Sequence, residues 1–231
     1  MTKRAAKTTW SDTAGKALTD YPRPSVAVDV AVLTVDAGEL NVLVVEGPRG
    51  LALPGSFLRP AERLSDAAER ALQTKAGLTG TDFHQLAMFD APDRDDRGWV
   101  LSMAHGAALP LGRLPHGARL VRIEGRVVTE PLAFDHTEMV SHAVDDLRTR
   151  YAHRVDPSGL LPEVFTVLEL RRLYEAIHGH ALPKDSFRRT VIDSLETTGR
   201  MSSSGTGRPA ELFRRRPGSE LPAGAAALLA N

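Results

Sequence analysis

The stretch Leu53–Leu78, LPGSFLRPAERLSDAAERALQTKAGL, decides the fold. It reads as the end of a strand, a loop, and an amphipathic helix. Pro54-Gly55-Ser56 turns the chain, and Glu62 stands at the end of the loop. Ser65 is placed to cap the helix, with Asp66 in the first turn, where a negative charge suits the positive end of the helix dipole. Ala67, Ala68, Ala71 and Leu72 recur at helical spacing and make a small apolar stripe. Gly77 is the expected C-terminal cap, because glycine enters the left-handed region at no steric cost.

This stretch resembles the Nudix box, G-x5-E-x7-R-E-U-x-E-E-x-G-U, where U is a bulky aliphatic residue. Ser56 takes the first glycine place, Glu62 matches the first glutamate, and Arg70, Leu72, Gly77 and Leu78 match as well. The three remaining acids are replaced by Ala71, Thr74 and Lys75. In Nudix enzymes such carboxylates hold Mg²⁺, a hard cation that takes oxygen ligands near octahedral geometry. Positions 71, 74 and 75 are spaced i, i+3, i+4 and share one helix face. Here that face carries a methyl, a hydroxyl and an ammonium that repels metal. Glu69 points to another side of the helix and does not substitute. The expectation is a pocket that binds a nucleoside diphosphate compound without cutting it, with no catalytic residues and no metal.

Composition narrows the classes further. The 231 residues suit one large or two modest domains, either able to bury a core. There is no cysteine, hence no disulfide, no thiolate nucleophile and no zinc–cysteine site. Lys plus Arg and Asp plus Glu both number 29, so a polyanionic partner must be met by a local patch. No apolar run approaches the ~20 residues of a membrane span. Residues 1–20 have basic residues but no apolar core segment, so they read as a disordered basic tail rather than a secretory signal, and a cytoplasmic protein is expected.

Along the chain, Val26 to Thr34 (VAVDVAVLT) is a β-branched strand, Asp36-Ala37-Gly38 a hairpin turn, and Leu40 to Val45 the partner strand. Further strands are expected at Phe83 to Phe89, Val100 to Leu109 and within Gly117 to Val128, with a bend at Gly125. Asp90 to Gly98 is a charged loop. Asp135 is placed to cap a helix over His136 to Tyr151. Mixed strands with helical cover make an α+β sandwich. Asp156-Pro157-Ser158-Gly159 reads as a break between domains. Beyond it, Thr166 caps an amphipathic helix, Val167 to His178, ended by Gly179. Asp185 or Ser186 caps a second, running to about Leu195, and two extended pieces follow around a Ser/Gly-rich tip. Helix, turn, helix, then a basic-tipped hairpin is the winged helix-turn-helix layout. Residues 217–231 are Ala-rich and read as a flexible tail.

The segment Leu182 to Arg216 holds Lys/Arg at 184, 188, 189, 200, 208, 214, 215 and 216 against acids at 185, 193, 196 and 211, an excess of four positive charges. Such a run is often only a solvated face. On a recognition helix its N-terminal residues face base edges, and Arg forks guanine bidentately. The expected DNA contacts are Lys184, Ser186, Arg188 and Arg189 from the helix, Arg208 from the wing and Arg214 through phosphate. The Arg94-Asp95-Asp96-Arg97 loop is either a self-paired surface turn or a ligand gate whose arginines contact phosphate. The eight histidines are scattered and show no metal-ligand spacing.

The whole ordered chain resembles the Nudix-related transcriptional regulators of NAD metabolism. The matching pieces include Tyr21-Pro22-Arg23-Pro24, Leu53-Pro54-Gly55, Asp93 to Gly98, Leu132-Ala133-Phe134-Asp135-His136, Leu160 to Thr166, Phe187-Arg188-Arg189 and Gly207-Arg208-Pro209-Ala210. Ser56 departs from the box, and Ser186 and Thr190 flank Phe-Arg-Arg where that family often has Asn and Lys. The resemblance implies a Nudix-like mixed α/β/α sandwich at 21–155 and a winged helix-turn-helix domain at 156–216. It further implies a repressor of NAD biosynthesis or salvage genes that binds a palindromic operator as a homodimer. The effector would be ADP-ribose or a related NAD metabolite, held near Arg59, Glu62, Arg70, Arg94 and Arg97, with no cofactor required. The competing expectation is a Nudix-type ADP-ribose pyrophosphatase with an accessory C-terminal domain.

Overall fold

The computed structural model describes residues 10–202 and 209–230. Its central strand is β1 (Ser25–Asp36), paired antiparallel with β2 (Glu39–Gly47) on one side and parallel with β6 (Val100–Ala108) on the other. Ala27 through Thr34 are all buried, a continuous run rather than an alternation, because both faces of the sheet are covered. Val28, Val30 and Val32 share a buried cluster with Ala67, Ala68 and Leu72 of α1 (Leu64–Ala76). Ala31 and Leu33 belong to the opposite cluster, with Met139, Val140 and Ala143 of α2 (His136–His153). The sheet is completed by β5 (His84–Phe89) beyond β6, and by β7 (Arg119–Glu124) and β8 (Val127–Val128) beyond β2. Two short strands, β3 (Gly50–Ala52) and β4 (Gly55–Phe57), pair β2 and β1. This is the expected helix–sheet–helix sandwich. Ala37 and Gly38 link β1 to β2 at φ of 49° and 82°, the hairpin geometry that matches strand twist.

Past α2 come β9 (Phe165–Thr166), α3 (Val167–His178), α4 (Lys184–Val191), β10 (Leu195–Met201) and β11 (Glu211–Arg215). The three strands form a small sheet in the order β10-β11-β9. Helix, turn, helix and wing follow one another as expected. The large buried cluster under α2 continues into this unit through Phe165, Leu170, Tyr174, Ile177, Phe187 and Phe213. The sandwich and the winged helix therefore share one apolar core.

Local chemistry differs from expectation at five places. Arg63, not Ser65, precedes the first helical residue, and the Asp66 carboxylate accepts from the Arg63 amide at 3.2 Å. Asp135 does precede α2, but its side chain makes no cap, because Arg94 takes both oxygens. Neither Asp185 nor Ser186 caps α4, which starts at Lys184 straight after Pro183 and stops at Val191 rather than Leu195. A 3-10 turn, Ile192–Ser194, fills the gap, and Leu195 is already strand. The tail 217–231 is not loose over its described part: Leu221, Ala225 and Leu229 are buried, and α5 (Ala225–Leu229) lies against α2 and α4. Within 1–20, Ser11 bridges Ala17 and Leu18–Asp20 form a 3-10 turn, so 10–20 has structure of its own. The basic residues of 1–9, the wing tip 203–208 with Arg208, and Asn231 lie outside the described residues.

Candidate effector pocket and nucleic-acid interface

A cavity of about 640 Å³ opens on the α2 side of the sheet, between β1, the β2–β3 hairpin, β4, the end of α1 and the loop before β6. Asp29 sits in its wall because residue 29 has the same parity as Ala31 and Leu33 on β1, so it faces α2. One Asp29 oxygen accepts from the Ser102 hydroxyl at 2.6 Å, and the other lies 3.4 Å from His136 Nε2. The Leu53 amide donates to His136 Nδ1 at 3.0 Å, which leaves the ring proton on Nε2, toward Asp29. Burial pushes the His136 pKa below its ordinary value, with Asp29 opposing, so the ring stays neutral. Gly55 is what lets this network form. A Cβ there would stand 1.8 Å from Asp29 Oδ1 and 2.8 Å from the Val28 carbonyl oxygen.

The arginines expected to hold the effector are mostly engaged within the protein. Arg70 donates to both Glu62 oxygens at 2.7 and 2.8 Å, and also to Ser56 and the Phe57 carbonyl. That guanidinium holds the Glu62 carboxyl down to about 2. Neither Arg70, Glu62 nor Arg59 lines the cavity; Arg59 gives its backbone amide to Glu62. Arg94 and Arg97 do line it. The Arg94 side chain is 4% exposed and forks Asp135 at 2.5 and 2.7 Å. Arg97 forks Asp95 at 2.6 and 2.8 Å and sits 5.2 Å from the ring centres of both Phe57 and Phe134. The loop is thus in part self-paired and in part a cavity wall. Sequence reasoning missed Asp29, His136, Phe57 and Phe134 as lining residues. Two signals pointed to three of them: a lone charge inside VAVDVAVLT, and the Phe134-Asp135-His136 triplet. Phe134 adopts φ of 57°, a strained conformation for a bulky side chain, and it holds the ring at the cavity mouth.

Magnesium, which a Nudix box implies, does not fit these residues. Glu62 is taken by Arg70, Asp95 by Arg97, and Asp29 by Ser102 and His136. Of the box positions, Ala71 is buried, and the Thr74 hydroxyl donates back to the Arg70 carbonyl at 2.7 Å. Of the three positions whose acids are replaced, only Lys75 lines the cavity. Among the described residues no three His, Cys, Asp or Glu side chains converge to hold a metal. Of the three acid positions of the box, position 75 carries an ammonium into the wall.

The second candidate surface is on the winged helix. Thr166 and Glu169 form a reciprocal capping box: the Glu169 amide donates to Thr166 Oγ1, and the Thr166 amide donates to Glu169 Oε2 at 2.7 Å. Phe187 and Val191 anchor α4 inward, Phe187 edge-on to Tyr174 at 5.2 Å. That anchoring turns Lys184, Arg188 and Arg189 to solvent, with Ser186 half-buried. Arg188 lies 5.9 Å from the Phe213 ring, so it leans toward the wing. Arg214 is exposed but donates to Glu196 at 2.8 Å across the β10–β11 pair.

The two halves of the chain are joined by polar contacts. Asp156, fully buried at φ of 43°, accepts from the Tyr151 hydroxyl at 2.6 Å, from the Leu160 and Leu161 amides, and from Arg215 of β11. Arg148 of α2 donates to the carbonyls of Ile177 and His178 at the end of α3, and to that of Gly125 in the sandwich. No helix among the described residues is long and apolar enough to cross a membrane.

Residues 157–215 match the family of the NrtR DNA-binding winged helix domain. The chain is 33% identical, over 210 residues, to the ADPR responsive transcriptional repressor NtrR of Acinetobacter baylyi, covering 84% of this chain and 83% of that protein. It is 31% identical, over 124 residues, to an ADP-ribose pyrophosphatase of Methanocaldococcus jannaschii, covering 52% of this chain and 73% of that one. The crystal structure of Shewanella oneidensis NrtR complexed with a 27mer DNA superposes with a TM-score of 0.68 at 27% identity, over 88% of this chain and 96% of that one. With a Nudix-like sandwich, a winged helix behind it and a repressor relative that matches both halves, the chain belongs to the NrtR family of Nudix-related transcriptional regulators.

Proposed function

We propose that this protein is a transcriptional repressor of NAD biosynthesis or salvage genes. Residues 156–216 bind a palindromic operator as a homodimer in the cytoplasm, and the Nudix-like residues 21–155 sense ADP-ribose or a related NAD metabolite without hydrolysing it. The observation that carries this reading is the match to a relative named as an ADPR responsive repressor over 83% of its length. The exposed Lys184, Arg188 and Arg189 on α4 support the DNA half, and the cavity between Asp29, His136 and Phe134 supports the sensor half. An effector changes DNA affinity only if it binds the DNA-competent and incompetent states unequally, and we propose that it weakens operator binding. A gel shift with the DNA upstream of the protein's own gene should show a complex that ADP-ribose dissolves. Failure to bind that DNA or any related operator would remove the repressor reading.

One observation favours a second reading, an ADP-ribose pyrophosphatase: the 31% identity to such an enzyme. Metal-dependent release of AMP from ADP-ribose, abolished by Glu62→Gln, would establish it. Turnover at background level is the outcome expected from Ala71, Thr74 and Lys75 in the places of the acids.

A further inference from the structure

Four cationic side chains line the cavity: Arg49, Lys75, Arg94 and Arg97. Three are committed elsewhere. Arg49 pairs with Asp96 at 2.7 Å, Arg94 with Asp135 and Arg97 with Asp95. Lys75 forms no ion pair or hydrogen bond with another side chain among the described residues. It projects from the last turn of α1, at the place where the Nudix box carries its last glutamate. Its charge reaches the Asp29–His136 wall, where it opposes protonation of the His136 ring. Glu46, on the β2–β3 hairpin, is the one lining carboxylate outside an ion pair or hydrogen bond, and one carboxylate cannot make the oxygen cage that Mg²⁺ needs.

We infer that Lys75 does the work of the missing divalent cation: its ammonium anchors the diphosphate of the effector, so binding is independent of magnesium. This rests on the sensor reading and adds to it the residue that recognises the ligand's charge. The chemistry is that of a point charge with three donors on a flexible stem, a common partner for phosphate oxygens. It also explains why binding would not lead to cleavage. A metal brings water to the phosphorus and lowers that water's pKa; an ammonium gathers the charge but delivers no nucleophile.

Calorimetry on the full chain tests this, with ADP-ribose and uncharged adenosine as probes, each in EDTA and in Mg²⁺. The wild-type chain should bind ADP-ribose equally in both. Lys75→Met should lose about tenfold or more in ADP-ribose affinity, as expected for a hydrogen bond to a charged group, while its adenosine affinity and melting temperature stay unchanged. Lys75→Glu, which restores the acid, should bind ADP-ribose poorly in EDTA and regain affinity in Mg²⁺. If the wild-type chain binds ADP-ribose only with Mg²⁺, or if Lys75→Met binds it as wild type does, Lys75 is not the anchor and the sensor reading stands. If neither probe binds the wild-type chain, the sensor reading falls and Lys75 with it.

Discussion

Arginine does opposite things in the two halves of this chain. Around the pocket, Arg70, Arg94 and Arg97 each fork a carboxylate: Glu62, Asp135 and Asp95. On α4, Arg188 and Arg189 stand exposed and form no salt bridge among the described residues. The difference lies in the neighbours that the fold supplies. A guanidinium beside a buried carboxylate becomes a strut that shapes a wall. The same group on a solvated helix face keeps its five donors for a ligand. A cluster of arginines in a sequence therefore marks a binding site only after the acids that fold against it have been counted.

That contrast can be broken by mutation. Arg94→Ala is the strongest test, because it leaves Asp135 partly buried and alone. Breaking such a pair costs about 3–5 kcal/mol, so urea unfolding should show a large loss of stability. A variant as stable as wild type would show that Arg94 is not a strut. Next in size, Arg188→Ala and Arg189→Ala should leave unfolding unchanged and weaken operator binding by about 1–3 kcal/mol each, the range for a bidentate base contact. Arg214→Ala should act more weakly and evenly across DNA sequences, since Glu196 already engages it. Wild-type affinity in both α4 variants would mean that α4 is not the reading helix.

The smallest effect is a pH dependence shared by both halves. His136 in the pocket and His178 in α3 are held neutral mainly by burial, His178 down to about 4 with Arg148 and His180 adding to the shift. The unfolded chain takes these protons near 6.5, while the folded chain refuses them. Stability is therefore full above that value and falls as pH drops from about 6.5 toward 4. Urea midpoints across this window should decline, and His178→Phe, which keeps a ring against Tyr174, should make the decline shallower. A flat profile in the wild type would contradict both assignments.

The strands and helices were legible because their signals are local. The β-branched run of β1, the Thr166–Glu169 box and Gly179 each act within a few residues. The roles of the pocket residues were not, because their partners arrive from far along the chain. Arg94 meets Asp135 41 residues on, and Asp29 meets Ser102 73 residues on. The role of Asp156 was hidden for a related reason. Asp-Pro-Ser-Gly has the composition of an exposed turn, yet Tyr151 and Arg215 bury its carboxylate. The Ala-rich tail misled through composition as well, since Leu221 and Leu229 suffice to seat it.

One helix makes the distance between the two halves mechanically short. α2 begins at His136 in the pocket wall and ends at His153, beside the residues that seat α3, β11 and α5. Its 18 residues make a rod about 27 Å long, at 1.5 Å per residue. Its first residue lies in the wall of the cavity. A tilt of about 10° there would carry the far end some 5 Å, more than the roughly 3.4 Å between successive base pairs. A ligand that turns the helix about its His136 end would thus put a reading helix out of step with its groove.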